Sequence, residues 1–173
     1  MSVTRRDWPA SGYCGWVREL DVVGVRVDMS SNQPIVLLRE VDGDRFLPIW
    51  VGPAEASAIA HAQQGIVPAR PLTHDLFRDV LIATGQRLTE VRITDLRDGV
   101  FFGILAFANG VEVSARPSDS IALALRMGVR ILCAEEVLAE AGVAIPDEQE
   151  AEVQKFREFL DQVTPEDFDT PGG

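Results

Sequence analysis

Several residue types that mark particular classes of protein are scarce in this sequence. Its 173 residues include 2 cysteines and 2 histidines. The cysteines, Cys14 and Cys133, are too few for a disulfide framework, and their spacing suits no zinc site. Apolar runs are too short to span a membrane, and the first residues lack the apolar stretch of a signal peptide. We therefore expect a cytoplasmic protein with reduced thiols and no membrane contact.

Positive charge is also scarce, and the negative charge is unevenly spread. The formal net charge is −11. Nine acids against Lys155 and Arg157 leave residues 147–173 at −7, and eighteen acids against fourteen arginines leave residues 1–146 at −4. This balance argues against a tight non-specific grip on nucleic acid, which requires many neutralised phosphates. A local arginine cluster or a metal-assisted site is still compatible with it.

The sequence does contain an ordinary globular composition with clear periodicity. Hydrophobic residues make up 46% of the chain and charged residues 25%, which is enough for one buried core. Apolar alternation and turn signals predict an α+β fold, a mostly antiparallel sheet with helices packed on one side, as a single domain. We expect a flexible segment over residues 1–16, the folded domain over 17–146, and an acidic C-terminal helix and tail over 147–173.

The predicted strands fall into two groups. Three strands joined by short turns open the domain as an antiparallel meander. Asp98–Gly99 and Asn109–Gly110 then predict two hairpin turns, because these dipeptides suit the left-handed backbone of tight turns. The apolar face of the first strand is predicted at Val23, Val25, Val27 and Met29.

Two helix entrances have nearly the same sequence, "ARPLTHDLF" and "ARPSDSIAL". We expect Thr73 and Ser118 to cap the two helices. An aspartate in each first turn, Asp75 or Asp119, sits favourably at the positive end of the helix dipole. The buried stripe of the first of these helices is predicted at Leu76, Phe77, Val80 and Leu81.

Each entrance gathers a cation, a hydroxyl and a carboxylate that could act together. Arg70 and Arg116 could hold phosphate oxygens, and the aspartates could bind a divalent cation or hold an arginine in place. His74, predicted to point outward at the first helical position, carries the imidazole that most often moves protons near neutral pH. The alternative is that each arginine and aspartate form a structural ion pair that closes a tight loop.

A third helix start has the same character. Glu55 lies in the first turn of the helix predicted after Gly52, where it could close the helix start or serve as a third carboxylate. The second histidine, His61, lies among alanines on this helix and is expected to pack. Arg126, in the last turn before Gly128, is expected to face the negative end of its helix dipole.

Three segments are distinctive in their order and spacing: "FLPIWVGPAEASAIA", "RPLTHDL" and "RPSDSIALALR". Together with the trailing "LDQVTPEDF", they resemble the bifunctional nuclease domain family over Val17 to Phe168. That family is bacterial, with plant relatives. It is described as cleaving both DNA and RNA with little sequence preference.

The resemblance implies a nuclease whose substrates are DNA and RNA, and the leading hypothesis adds a divalent metal, Mg²⁺ or Mn²⁺. The expected catalytic residues are His74, Asp75 and Asp119. The expected phosphate-binding residues are Arg70, Arg116 and Ser118. The candidate metal ligands are Glu55, Asp75 and Asp119.

Two alternatives stay open. Without a metal, His74 and an arginine could cleave RNA through its 2′-hydroxyl but not DNA. A non-enzymatic oligomeric module, regulatory or binding an anion or small ligand at the capped helix starts, fits the same arginines. The exposed meander and an apolar-striped C-terminal helix also predict a homo-oligomer.

Overall fold

Strands and helices follow one another in the order expected from the sequence, except for a short final strand that was not predicted. The computed structural model describes residues 17–29 and 31–144, so the predictions for residues 1–16 and 147–173 lie outside the described residues. The strands are β1 (Val17–Val27), β2 (Pro34–Glu40), β3 (Arg45–Trp50), β4 (Leu88–Arg97), β5 (Val100–Phe107), β6 (Glu112–Ala115), β7 (Arg130–Ala134) and β8 (Val143–Ala144). The helices are α1 (Pro53–Gln63), α2 (Thr73–Ala83), α3 (Pro117–Met127) and α4 (Glu135–Ala141).

The strands form one sheet in the order β6-β5-β4-β7-β1-β2-β3-β8. β1, β2 and β3 are the predicted antiparallel meander, and the two predicted hairpins join β4 to β5 and β5 to β6. β7 lies between these groups, antiparallel to β1 and parallel to β4. The α+β class with a mostly antiparallel sheet is confirmed.

A left-handed backbone closes the hairpin between β4 and β5. Asp98 and Gly99 have φ angles of 51° and 75°, and a two-residue type I′ turn requires positive φ at both central positions. Aspartate tolerates this conformation better than most residues, and glycine adopts it at no steric cost. This turn was therefore predictable from two residues.

The predicted apolar face of β1 is wrong except at Val25, and β1 contains a bulge. The register with β2 shifts after Val22, so that Val22 and Val25 both pack against the core. Val23, Val27 and Met29 are instead 43%, 55% and 94% exposed. A bulge adds one residue and moves the following side chains to the opposite face, which strict alternation does not anticipate.

One hydrophobic core joins the sheet to all four helices within the compact unit that ends at Val143. Each of the four helices contributes buried side chains to this one core. Burying each large apolar side chain contributes about 1.5–3 kcal/mol. The fully buried side chains of this core include Leu20, Leu38, Leu47, Ile93, Ile59, Ile121, Leu123 and Leu138.

Two features of the structure bear on the expectations of a reduced thiol and no membrane contact. Cys133 is a free, buried thiol, and burial raises its pKa to about 12. The thiol is therefore protonated and unreactive at neutral pH. In the part of the chain that the structure describes, no helix has the length and apolar character needed to cross a membrane.

The starts of α2 and α3 differ from the prediction. The N-cap of α2 is Leu72, whose backbone N–H donates to the Asp75 carboxylate at 3.0 Å. The N-cap of α3 is Arg116, because the proline after it takes the first helical position. Thr73 and Ser118 are thus helical residues and not caps. In α2 an acidic side chain in the first turn replaces the expected hydroxyl cap.

The apolar stripe of α2 faces solvent and not the core, contrary to the prediction. Leu76, Phe77 and Val80 are 56%, 43% and 46% exposed, whereas Leu81 is buried at 7%. Asp75, on another side of the helix, is itself buried at 8%. Polar contacts of that side, described below, set the rotation of α2 about its axis. Apolar periodicity alone pointed to the wrong face.

Charged side chains join the meander to α4. Arg45 donates to Glu40 at 2.8 and 2.9 Å and to Glu135 at 2.8 Å. Arg18 donates to Glu135 at 2.6 Å. Hydrogen bonds from Arg45 and then Arg18 lower the pKa of Glu135 from its ordinary value of 4.5 to about 2.

We expect E135Q to lower the free energy of unfolding by about 2 kcal/mol at pH 7. A depressed carboxyl pKa stabilises the fold above the unfolded pKa. The difference between E135Q and wild type should therefore persist above about pH 5 and shrink as the pH falls from 4.5 towards 2. Urea unfolding at several pH values measures it. E136Q removes the same charge from the exposed next position, and an equal effect there would contradict this explanation.

Candidate functional site

Three helix starts bring charged side chains together. Glu55 is the third residue of α1, His74 the second of α2 and Asp119 the third of α3. Arg116 directly precedes α3. We call these four residues the Arg116 cluster.

The two entrances singled out in the sequence contact each other within the Arg116 cluster. His74 Nε2 lies 3.0 Å from Asp119 Oδ1. Arg116 Nε donates to Asp119 Oδ2 at 2.7 Å, and Arg116 Nη2 donates to Glu55 Oε1 at 2.7 Å. The arginine therefore bridges α1 and α3, and the aspartate bridges α3 and α2.

The protonation state of the cluster follows from these contacts. Partial burial acts to raise the pKa of Asp119, but hydrogen bonds from Arg116 and His74 outweigh it and hold the pKa below its ordinary value. Hydrogen bonds to Asp119 and Glu55 raise the pKa of Arg116. Because Asp119 is ionised, it accepts the proton of His74 Nε2–H, which leaves Nδ1 as the basic nitrogen of the ring.

Arg116 is the member of the cluster that an incoming molecule meets. Its side chain is 67% exposed, whereas those of Glu55 and His74 are 17% and 16% exposed. The guanidinium thus lies over two carboxylates with its other side open to solvent. A planar guanidinium in this position suits a phosphate, which it can bind through paired hydrogen bonds.

Gly52 makes room for the Glu55 carboxylate. A Cβ atom at position 52 would lie 2.4 Å from Glu55 Oε2, which is closer than non-bonded atoms approach. Any side chain here would displace the carboxylate from its place beside Arg116. This explains physically why glycine stands at the start of "GPAE".

Asp75 does not join the Arg116 cluster. Its Oδ1 accepts a hydrogen bond from Arg126 Nε at 2.6 Å, and its Oδ2 accepts one from the Leu72 N–H at 3.0 Å. Arg126 Nη1 also donates to the carbonyl oxygens of Ala58 and Ala122 at 3.0 and 2.9 Å. The Asp75 and Arg126 side chains are 11% and 5% exposed. This buried pair ties α1, α2 and α3 together.

The structural role of Arg126, as the partner of Asp75, was not predicted from the sequence. Its position in the last turn of α3 suggested only an interaction with the helix dipole. The hydrogen bond to Asp75 joins residues 51 positions apart, and nothing local to either residue indicates it. Burial acts to raise the pKa of Asp75, but the hydrogen bonds from Arg126 and Leu72 outweigh it and lower that pKa.

Among the described residues, no hydrogen bond or ion pair joins the side chains of the other predicted phosphate ligands, Arg70 and Ser118, to the cluster. Arg70 is exposed. Ser118 as a whole residue is buried at 8%. Ser120, not singled out from the sequence, donates its hydroxyl to the Arg116 carbonyl oxygen at 3.1 Å. Its spacing of four residues from Arg116 could have indicated this contact.

A pocket of about 230 Å³ lies near Asp75 and is distinct from the Arg116 cluster. His61, Arg78 and Arg126 contribute to its lining, together with apolar residues of the α1–α2 connection. His61 Nδ1 is buried and has no hydrogen-bond partner among the described residues. Asp75 thus lines this pocket, whereas its neighbour His74 belongs to the Arg116 cluster.

The proposed metal ligands are not assembled into a metal site. Considering residues 17–29 and 31–144, no group of three or more histidine, cysteine, aspartate or glutamate side chains is placed to hold a metal ion. Glu55 and Asp119 both bind the Arg116 cation, and both oxygens of Asp75 accept hydrogen bonds. In this arrangement the three carboxylates do not fit a divalent cation, which requires several free oxygen ligands.

Comparison with known proteins places the chain in a recognised domain family. Residues 36–146 match the bifunctional nuclease domain, and the chain belongs to that family. It is 57% identical over 159 residues to the uncharacterized protein Rv1829 of Mycobacterium tuberculosis (strain H37Rv), covering 87% of this chain and 97% of that protein. The uncharacterized protein MT1877 of the CDC 1551 / Oshkosh strain matches to the same extent.

We expect R126Q to lower the free energy of unfolding by about 3 kcal/mol or more, because it leaves the buried Asp75 carboxylate without its cationic partner. Urea unfolding at neutral pH measures the loss. R78Q is the matched control, since Arg78 pairs with Asp79 at 2.7 Å and these side chains are 36% and 45% exposed. The control should lose less than about 1 kcal/mol. Equal losses in the two variants would show that the buried pair has no special importance.

Proposed function

We propose that this protein is a nuclease that cleaves phosphodiester bonds through the Arg116 cluster. The contact between His74 and the ionised Asp119, beside the exposed Arg116, carries the proposal. It combines an oriented base with a cation that suits phosphate. Membership of the bifunctional nuclease domain family supports the same activity class.

The first step in this mechanism is phosphate binding by Arg116. The guanidinium already has an anionic partner in Glu55, at 2.7 Å from Nη2. A nucleic-acid phosphate would bind the open side of the guanidinium or replace Glu55 at Nη2. The contacts with Asp119 would hold Nε in place during this exchange. Binding would therefore require little movement of the arginine.

Proton transfer by His74 is the second step. With RNA, His74 Nδ1 takes the proton of the 2′-hydroxyl, and the 2′-oxygen attacks the adjacent phosphorus. The bond to the 5′-oxygen breaks, this oxygen takes a proton from water, and a 2′,3′-cyclic phosphate forms. Asp119 stabilises the imidazolium produced, and Arg116 stabilises the charge that develops on the phosphate.

DNA is the more demanding substrate for these residues. It has no 2′-hydroxyl, so the nucleophile has to be water. A divalent metal would supply an activated water and further charge stabilisation. For Glu55 and Asp119 to bind such an ion, both would have to release Arg116 first. The geometry consequently favours RNA as the substrate that this arrangement cleaves unaided.

We expect H74Q to reduce the rate of RNA cleavage by about 100-fold or more, the usual contribution of a positioned base. Glutamine can still donate to Asp119 but has no basic nitrogen, so the melting temperature should change little. Cleavage of a labelled RNA oligonucleotide and thermal unfolding measure the two effects. H61Q, which changes the other histidine, should retain wild-type activity, which would show that the loss is specific to position 74.

Two results would contradict this assignment. Equal activity in wild type and H74Q would remove His74 from the mechanism. Oligonucleotide binding without cleavage, weakened by R116K, would favour the non-enzymatic anion-binding module instead.

The role of a metal is tested by cleavage in excess EDTA. We expect the RNA oligonucleotide to be cleaved in EDTA to a product with a 2′,3′-cyclic phosphate, while a DNA oligonucleotide of the same sequence remains intact. Mass spectrometry of the products identifies the cyclic phosphate. If RNA cleavage also stops in EDTA and returns with Mg²⁺ or Mn²⁺, the metal-free mechanism is wrong, and carboxylates of the cluster must exchange Arg116 for the ion.

A further inference from the structure

The exposed face of α2 carries an apolar stripe with no partner in the described part of the chain. It consists of Leu72, which directly precedes the helix, and Leu76, Phe77 and Val80. These side chains are 41%, 56%, 43% and 46% exposed. Spacings of four residues place Leu72, Leu76 and Val80 in one row along the helix, and Phe77 lies beside that row. We call these residues the α2 stripe.

The α2 stripe contains no charged side chain. Thr73 and Ala83, which share this face by helical spacing, are exposed and uncharged. Arg78 lies on the opposite side of the helix, and Asp79 lies at the flank of the stripe. Water therefore contacts a continuous apolar surface about three turns long.

The size of the α2 stripe is that of an interface core. The exposed parts of its side chains amount to an area on the order of 400 Å², within the range of patches that are often functional in single proteins. A standard protein interface buries about 800 Å² on each partner, of which somewhat more than half is apolar. The stripe could supply most of the apolar share of one such interface.

The chemistry of the α2 stripe indicates which kind of partner could bind it. Nucleic acid and anionic lipid surfaces are bound through basic residues, and the stripe has none, in a chain of net charge −11. A convex helix face also offers no cavity for a small ligand. The partner that fits the stripe is therefore another apolar helix face. An antiparallel copy of α2 meets it, because the row of residues at four-residue spacing packs against the same row of a second helix.

We propose that the α2 stripe is a homodimer interface, in which α2 of a second copy packs across it about a twofold axis. The axis lies near Leu76, Phe77 and Val80, the centre of the stripe. Dimerisation buries the stripe and steadies the helix that carries His74. This interface is independent of the proposed nuclease activity, since no residue of the Arg116 cluster belongs to the stripe.

Light scattering on the full chain at micromolar concentration tests the proposal. We expect a mass of about 38 kDa for the wild type, twice the chain mass of 18.9 kDa. L76E places a charge at the centre of the stripe and should reduce the mass to that of one chain. The matched control is I82E, since Ile82 is 63% exposed on the same helix but points about 120° away from Leu76 around the helix axis, outside the stripe. This variant should remain a dimer.

Several outcomes would overturn the proposal. The first is a wild-type mass of one chain, as expected if residues 147–173 of the same chain cover the stripe. The second is a dimer that survives L76E, which would place the interface elsewhere, for example at the edge strand β6. The third is dissociation of both L76E and I82E. Circular dichroism verifies that L76E is folded, and V80E replaces it if it is not.

Discussion

The buried ion pair between Asp75 and Arg126 is the interaction on which the arrangement of the helices depends. Arg126 is 5% exposed in its side chain and contacts three helices at once. Leaving either charge buried and unpaired costs several kcal/mol, so α2 is held in one rotation about its axis. In that rotation His74 reaches Asp119, and the α2 stripe faces away from the core.

The same rotation explains the chemistry of the site. Two carboxylates contact Arg116, the most exposed group of the cluster, and the imidazole contacts one of these carboxylates. Under the proposed function, the cluster is organised before the substrate binds, so little reorganisation would be needed when charge develops on phosphate. The chain as a whole carries a net charge of −11 and repels nucleic acid at long range. If the substrate is nucleic acid, as we propose, its recognition rests on short-range contacts at the cluster.

The segment "RPLTHDLF" combines three tasks within two helical turns. Asp75 anchors the helix in the protein, His74 contributes to the cluster, and Leu76 and Phe77 form part of the exposed stripe. Helical geometry permits this, because successive residues point about 100° apart. Neighbours in sequence can thus act on different sides of α2. Sequence proximity to the proposed catalytic residue, His74, is consequently a poor guide to the role of a neighbouring side chain.

The sequence by itself determined the features that depend on near neighbours. These were the strand and helix order, the Asp98–Gly99 turn, the glycine that ends α3, the family, and the importance of the two helix entrances. Tertiary structure decided which carboxylate meets which arginine: Asp119 binds Arg116 nearby, but Asp75 binds Arg126 across two helices. It also decided the bulge in β1 and the outward face of α2. Turns and helix ends are set by local backbone preferences, whereas ion pairs and buried faces depend on which distant elements pack together.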